Sequence, residues 1–229
     1  MRKLVNSLVS SIKKDKWTLD DNIPSSYLLK YFHIRILMLI RGVLKFLRIK
    51  PIVFLGKNST IRCTKKFHYQ SGLTIDRGCY IDALSIDGIR FGENVSIGKS
   101  TTIECTGSLQ DIGKGLIVGN NVGLGSHGFW GCAGGIEVGD NTIFGNFVSL
   151  HSENHKFNDK YKLIKKQGVI RDGIKIGSNC WLGSKSTILD GVILEDGCIV
   201  AAGAVLKKGV YKANGIYGGV PAKLLKKRC

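Results

Sequence analysis

Between Ile176 and Val210 a large aliphatic residue recurs every six positions, as Ile176, Leu182, Ile188, Leu194, Val200 and Leu206. Four places after each comes a small or branched residue: Cys180, Ser186, Val192, Cys198, Ala204 and Val210. A helix repeats at about 3.6 residues and a flat strand at about two, so neither produces blocks of six. A chain that turns a corner after each short strand does, because every side of the coil needs one large inward residue and a small one near the corner. The same phase joins Phe91, Ile97 and Ile103, then Ile112, Val118 and Leu124, then Val138, Phe144 and Leu150. Glycine follows the large residue at 92, 98, 113, 119, 125, 139 and 145, and a tight corner is where glycine is tolerated best. The expected body is a three-sided prism with sides of about 15 Å. Its flat outer ladders suit side-by-side association of several copies.

A chain of 229 residues with 30 glycines has room for one repeat body plus appendages. The net charge of +17 is concentrated at the two ends. Residues 1–50 hold eleven Lys or Arg against three Asp, and residues 207–229 hold seven with no acid. Such ends suit an anionic contact, a phosphorylated ligand or a membrane surface, and equally a solvated tail. Seven cysteines without a C-x-x-C pair carry no disulfide framework; Cys180 and Cys198 read as fillers of the small inward slot in a reducing, cytoplasmic setting. Polar residues after Arg2 and Lys3 interrupt any cleavable leader pattern.

Residues 3–16 have the spacing of a short amphipathic helix, and residues 25–49 that of a second, with Ser25 or Ser26 as candidate N-cap. Lys30, Arg35, Arg41, Lys45 and Arg48 leave the second segment no uncharged run near the ~20 residues that a membrane span requires. Two compatible roles remain: a cap on the first coil, or a basic helix lying on the inner face of a membrane. Pro51 ends the helical region. The expected organisation is a helical segment over 1–50, a coil over 51–206 and a basic tail over 207–229.

From Leu150 to Ile176 the count is twenty-six, not a multiple of six, so residues 151–175 leave the coil as a loop. A long insertion in a compact repeat body is usually functional or disordered. This one carries His151 and His155, and imidazole is the natural group for removing a proton near neutral pH.

The segments VGDNTIFGNFVSLHSENHKF, IKIGSNCWLGSKSTILDGVILEDGCIVAAGAVLKKGV and GGVPAKLLKKR resemble the hexapeptide-repeat acyltransferases. The likeness is especially to the maltose/galactoside acetyltransferases and related polysaccharide O-acetyltransferases. The resemblance implies a mainly β fold, a left-handed parallel β-helix with a protruding loop, assembled as a homotrimer with acetyl-CoA in the groove between neighbours. It makes His155 the general base; relatives often have no histidine where His151 stands, and His151 and Asn154 are candidate acceptor contacts. It places Trp181, Gly183, Ser184 and Ala202 along the pantetheine arm and Lys207, Lys208, Lys223 and Lys226 toward the nucleotide phosphates. Lys207, Lys223 and Lys226 stand where relatives often carry threonine or arginine. The implied reaction is direct transfer to a sugar hydroxyl of a surface polysaccharide or its lipid-linked precursor, with a backbone N–H near Gly183 or Ser184 holding the oxyanion. N-acetylation of a nucleotide-linked amino sugar would use the same parts.

Three other readings fit less of the chain. A zinc β-helix carbonic anhydrase would use His127, His151 and His155, leaving Trp181 and the basic tail without purpose, so no metal is expected. A non-catalytic scaffold leaves His155 idle. Nucleic-acid binding rests on a pI of 9.7 alone.

Overall fold

The computed structural model describes residues 18–228. The helix expected over 3–16 lies outside the described residues. A helix, α1, runs over Ser25–Phe46. Its first turn closes from the Leu28 amide onto the Pro24 carbonyl at 3.2 Å, so both serines lie inside that turn and neither is the cap. It stops short of 49 because Leu47 adopts a left-handed conformation, φ 53°. The chain divides into two compact units within α1, at Leu37–Met38.

In the second unit α1 is fastened to the first turn of a coil. Gly42 lies so close to Val53 that a Cβ would overlap the Val53 carbonyl. Phe46 stacks on Phe67 at 5.7 Å and packs on Tyr69 at 5.0 Å. Seven complete coils follow, each contributing one strand to each of three parallel sheets, or faces. Coil 1 is Val53–Leu55, Thr60–Arg62 and Phe67–Tyr69; coil 6 is Trp181–Leu182, Thr187–Leu189 and Val192–Leu194. The six-residue phase is the pitch of this prism: Ile176, Leu182, Ile188, Leu194, Val200 and Leu206 are all buried, and so are Cys180, Ser186, Val192, Cys198 and Ala204.

Two residues of that phase fall elsewhere. Val210 is exposed, because Gly209–Tyr211 pairs Val210 with the outward Ile193, which turns Tyr211 inward instead. Ile112 sits in an excursion between Thr102–Glu104 and Gly115–Val118, bridged to Gly107, and the inward residues of that side are Leu116 and Val118. The coil also continues past 206. Gly209–Tyr211 completes coil 7, Gly215–Gly219 adds a further strand to the first face, and Ala222–Lys227 folds back antiparallel on it. The basic segment is therefore a strand at the prism's end, where Ala222 packs against the core.

The corner glycines serve stacking, not backbone freedom. None of Gly98, Gly125 and Gly145 has a positive φ. A Cβ on Gly125 would overlap the Gly145 carbonyl, and one on Gly145 would come within 2.5 Å of the Ser184 amide. Left-handed residues occupy other slots. Between the third and first faces these are Asn94, Asn121, Asn141 and Asn179, with φ of 55–57°. Asparagine tolerates that conformation, and the side chains form a ladder, Asn94 donating to Asn121 and Asn121 to Asn141, each at 3.3 Å.

Candidate active site

The coil opens once in the way the residue count predicts, at the corner between the second and third faces of coil 5. Strand Ser149–His151 ends there, and Ser152, fully buried, holds the exit: its Oγ accepts from the Gly134 amide at 2.9 Å and donates to the Gly131 carbonyl at 2.8 Å. The chain then forms an antiparallel hairpin, Asn154–His155 against Val169–Ile170, and re-enters at Ile174–Ile176. His151 thus belongs to the coil itself, and the departing segment is shorter than 151–175. Asp190 receives the returning strand, accepting from the Gly173 amide at 2.8 Å and the Asp172 amide at 3.2 Å. Arg171 pins the base of the hairpin, with Nε 2.7 Å from Glu153 and Nη1 2.9 Å from Asp111.

Beneath the hairpin lies a cavity of about 360 Å³, lined by His151, Glu153, Asn154, Ile170, Asp172, Leu189, Asp190, Lys207 and Lys208. The His151 ring is held by a 2.6 Å hydrogen bond between Nε2 and Ser149 Oγ and lies 5.4 Å from the Phe129 ring. Burial lowers its pKa from 6.5, which keeps the imidazole neutral at physiological pH. Lys208 Nζ pairs with Asp172 at 2.8 Å. Ile170 and its hairpin partner Asn154 both line this space; strand alternation turns His155, paired with Val169, to the other side, where it is exposed.

The remaining predicted residues lie at a different corner, between the first and second faces. Trp181 stands half exposed on the first face, in a ladder with Ile143, Ile199 and Ile216. Gly183 and Ala202 stack there, a Cβ on Gly183 coming within 2.5 Å of the Ala202 amide. The Gly183 N–H is committed to the Val200 carbonyl at 2.8 Å, so of that pair the Ser184 N–H is the one left for an oxyanion. Lys223 and Lys226 sit exposed on the closing strand. The structure therefore joins His151, Asn154, Lys207 and Lys208 in one cavity and places Trp181, Gly183, Ser184 and Ala202 at another corner.

Asp172, Asp190 and Glu153 escaped the sequence reading, since acidic residues in loops and turns carry no periodic signal. Phe147 escaped it too, and His127 entered it only as a candidate zinc ligand. They stack at 4.9 Å on the first-to-second corner, both left-handed, with φ of 61° and 56°. The same corner slot in the other coils holds Asn58, Gly78, Ser100, Lys185 and Gly203, all left-handed, so an aromatic ring there was the available clue. Among the described residues no three His, Cys, Asp or Glu side chains are grouped to hold a metal ion.

Residues 173–208 match the family model described as the hexapeptide repeat of succinyl-transferase. A probable acetyltransferase of Mycobacterium tuberculosis is 26% identical over 180 residues, covering 78% of this chain and 51% of its own. The chain thus spans about half the length of that curated relative. Among solved structures, a variant of the N-acyltransferase AntD from Bacillus cereus, in complex with dTDP and coenzyme A, superposes with a TM-score of 0.52 at 18% identity, covering 76% of this chain and 86% of that one. AntD in complex with dTDP and 3-hydroxybutyryl-CoA gives 0.51 at 16% identity, covering 78% and 80%. At such identities the likeness is one of fold, the left-handed β-helix. Repeat, coil and relative together match the pattern of the hexapeptide-repeat acyltransferases that the sequence resembles.

Proposed function

We propose that this protein transfers an acetyl group from acetyl-CoA directly to a hydroxyl of a saccharide, in the assembly of a surface polysaccharide, with His155 as general base. The carrying observation is the separation of the two half-sites. The histidine hairpin projects from one corner of the prism, and the stacked backbone of Gly183, Ser184 and Ala202 beside Trp181 occupies another. One chain does not bring them together, whereas copies packed side by side in a homotrimer would set the hairpin of one against the donor corner of the next.

In that cleft the exposed imidazole of His155 takes the proton of the attacking hydroxyl. The thioester carbonyl becomes tetrahedral, the Ser184 N–H stabilises its oxygen, and coenzyme A departs as the thiol. Exposed Lys223 and Lys226 meet the nucleotide phosphates. Lys207 and Lys208, within the His151 cavity, are better placed toward the acceptor than beside them. No acylated enzyme is needed. Burial pushes the Cys180 thiol up to about 11 and raises that of Cys198, which disarms both as nucleophiles.

N-acylation of a nucleotide-linked amino sugar is the second reading. It is favoured by the three carboxylates of the cavity, Glu153, Asp172 and Asp190, and by the AntD complexes, whose ligands are dTDP and acyl-CoA. Thiol release from acetyl-CoA, measured with hydroxyl and amine acceptors side by side, separates the two. His155→Ala is expected to lower turnover by about 10²–10⁴-fold while leaving acetyl-CoA binding unchanged. Full turnover in that variant removes His155 from the mechanism.

A further inference from the structure

The coil-1 end of the prism has a composition unlike the rest of the surface. From Met38 to Ile75 the sequence holds eight Lys or Arg and no Asp or Glu. The second half of α1 is fixed to coil 1 through Gly42 and Phe46. Ile40 and Leu44, one turn apart, lie on the opposite side of the helix. Both are exposed, Leu44 at 67%, and the chain leaving the helix adds Leu47 at 87% and Ile49 at 73%.

Cations border this apolar strip. Arg41 reaches back to the Leu55 carbonyl at 3.5 Å, and the Arg48 guanidinium lies 4.7 Å over the Tyr69 ring, so both are anchored to the prism. Among the described residues no ion pair engages Lys45 or Lys50. No described helix is long and apolar enough to cross a membrane. Exposed aliphatic side chains beside unpaired lysines, on a helix too polar to span, match the physics of an interfacial element. A neutral protein partner would supply apolar contact but leave the lysines without counter-charges. An anionic bilayer supplies both.

We propose that this end of the prism docks on an anionic lipid bilayer, with Ile40, Leu44, Leu47 and Ile49 entering the interface and Lys45 and Lys50 meeting acidic headgroups. The attachment of the second half of α1 through Gly42 and Phe46 then presents coil 1 to the membrane. An enzyme of this build would meet a lipid-linked saccharide by moving over a surface, but the docking itself requires no catalysis.

The test is co-sedimentation of the full chain with phosphatidylcholine vesicles containing one-third phosphatidylglycerol, against pure phosphatidylcholine vesicles. Binding to the anionic vesicles is expected to be at least about tenfold stronger and to fall in high salt. Lys45→Ala with Lys50→Ala should weaken it by about tenfold or more. Leu44→Gln with Leu47→Asn should abolish it without moving the thermal transition, since asparagine suits the left-handed backbone at position 47. Equal binding to both vesicle types overturns the proposal. So does a change in sedimentation mass of the Leu44/Leu47 variant with no vesicle binding by the parent, which would show that another copy covers this face. Because binding is read without turnover, failure here leaves the acyltransferase reading untouched, and the converse also holds.

Discussion

His151 illustrates how the coil tunes a single side chain. It is the last residue of a strand whose inward member, Leu150, is fully buried, and its ring lies half covered between Ser149 and Phe129. That partial burial disfavours the imidazolium, so the folded pKa falls below the ordinary 6.5. The unfolded chain therefore binds more protons just below that value. Stability from this group is complete above about pH 6.5 and is lost as pH drops through the unfolded pKa toward the lower folded one. Replacing His151 with Gln should make the acid-side decline of the melting temperature shallower, which calorimetry between about pH 7 and about pH 5 measures. An unchanged slope would mean that the imidazole titrates as it does in solvent. The presence of two histidines near a break in the repeat was legible from spacing alone. Their assignment to opposite sides of a hairpin was not, because the strand pairing of Asn154 with Ile170 links residues sixteen apart in a stretch without periodic pattern.

At the scale of the strand and corner, backbone packing between coils sets the tolerances. Gly125 and Gly145 stack so closely that a methyl group on the first would intrude on the carbonyl of the second, and neither coil can move away without breaking the ladder that runs through Leu124 and Phe144. Gly125→Ala is therefore expected to destabilise the fold by about 2 kcal/mol or more, read from urea unfolding. A neutral effect would show that the corner has slack. Sequence spacing located these glycines correctly and suggested the wrong reason for them. Backbone freedom is needed at the Asn and second-to-third-corner Gly slots, whereas at Gly98, Gly125 and Gly145 the requirement is the closeness of the next coil. The same limit applies to Val210 and Ile112: a six-residue count assumes unbroken sides, and Gly209 and the excursion before Gly115 each shift the register.

For the molecule as a whole the consequential fact is that the hairpin corner and the donor corner are different edges of one prism. If catalysis uses both, each active site draws on two chains, and two crippled variants should rescue one another. His155→Ala keeps an intact donor corner, and Trp181→Ala keeps an intact hairpin. Refolded together in equal amounts, they are expected to regain about a quarter of the parent activity, because random assembly pairs one good half with the other at about one interface in four. Each alone stays low. Absence of any recovery would place both halves of the site within a single chain. The ladder of Ile143, Trp181, Ile199 and Ile216, exposed at its first two members and partly buried at the last two, is the kind of flat apolar face that such assembly covers.

By itself the sequence determined the coil, the long break after Leu150 and most of the positions that face inward, because those follow from one-dimensional spacing against a fixed pitch. Tertiary structure alone decided that Lys207 and Lys208 line one cavity with His151 and Asp190 while Lys223 and Lys226 close the far end, that the basic tail is a strand, and that exposed aliphatic residues gather at coil 1 with lysines that no described carboxylate pairs. Each of these depends on which residues, distant along the chain, stack on the same edge or end of the prism, and stacking in the third dimension leaves no period in the first.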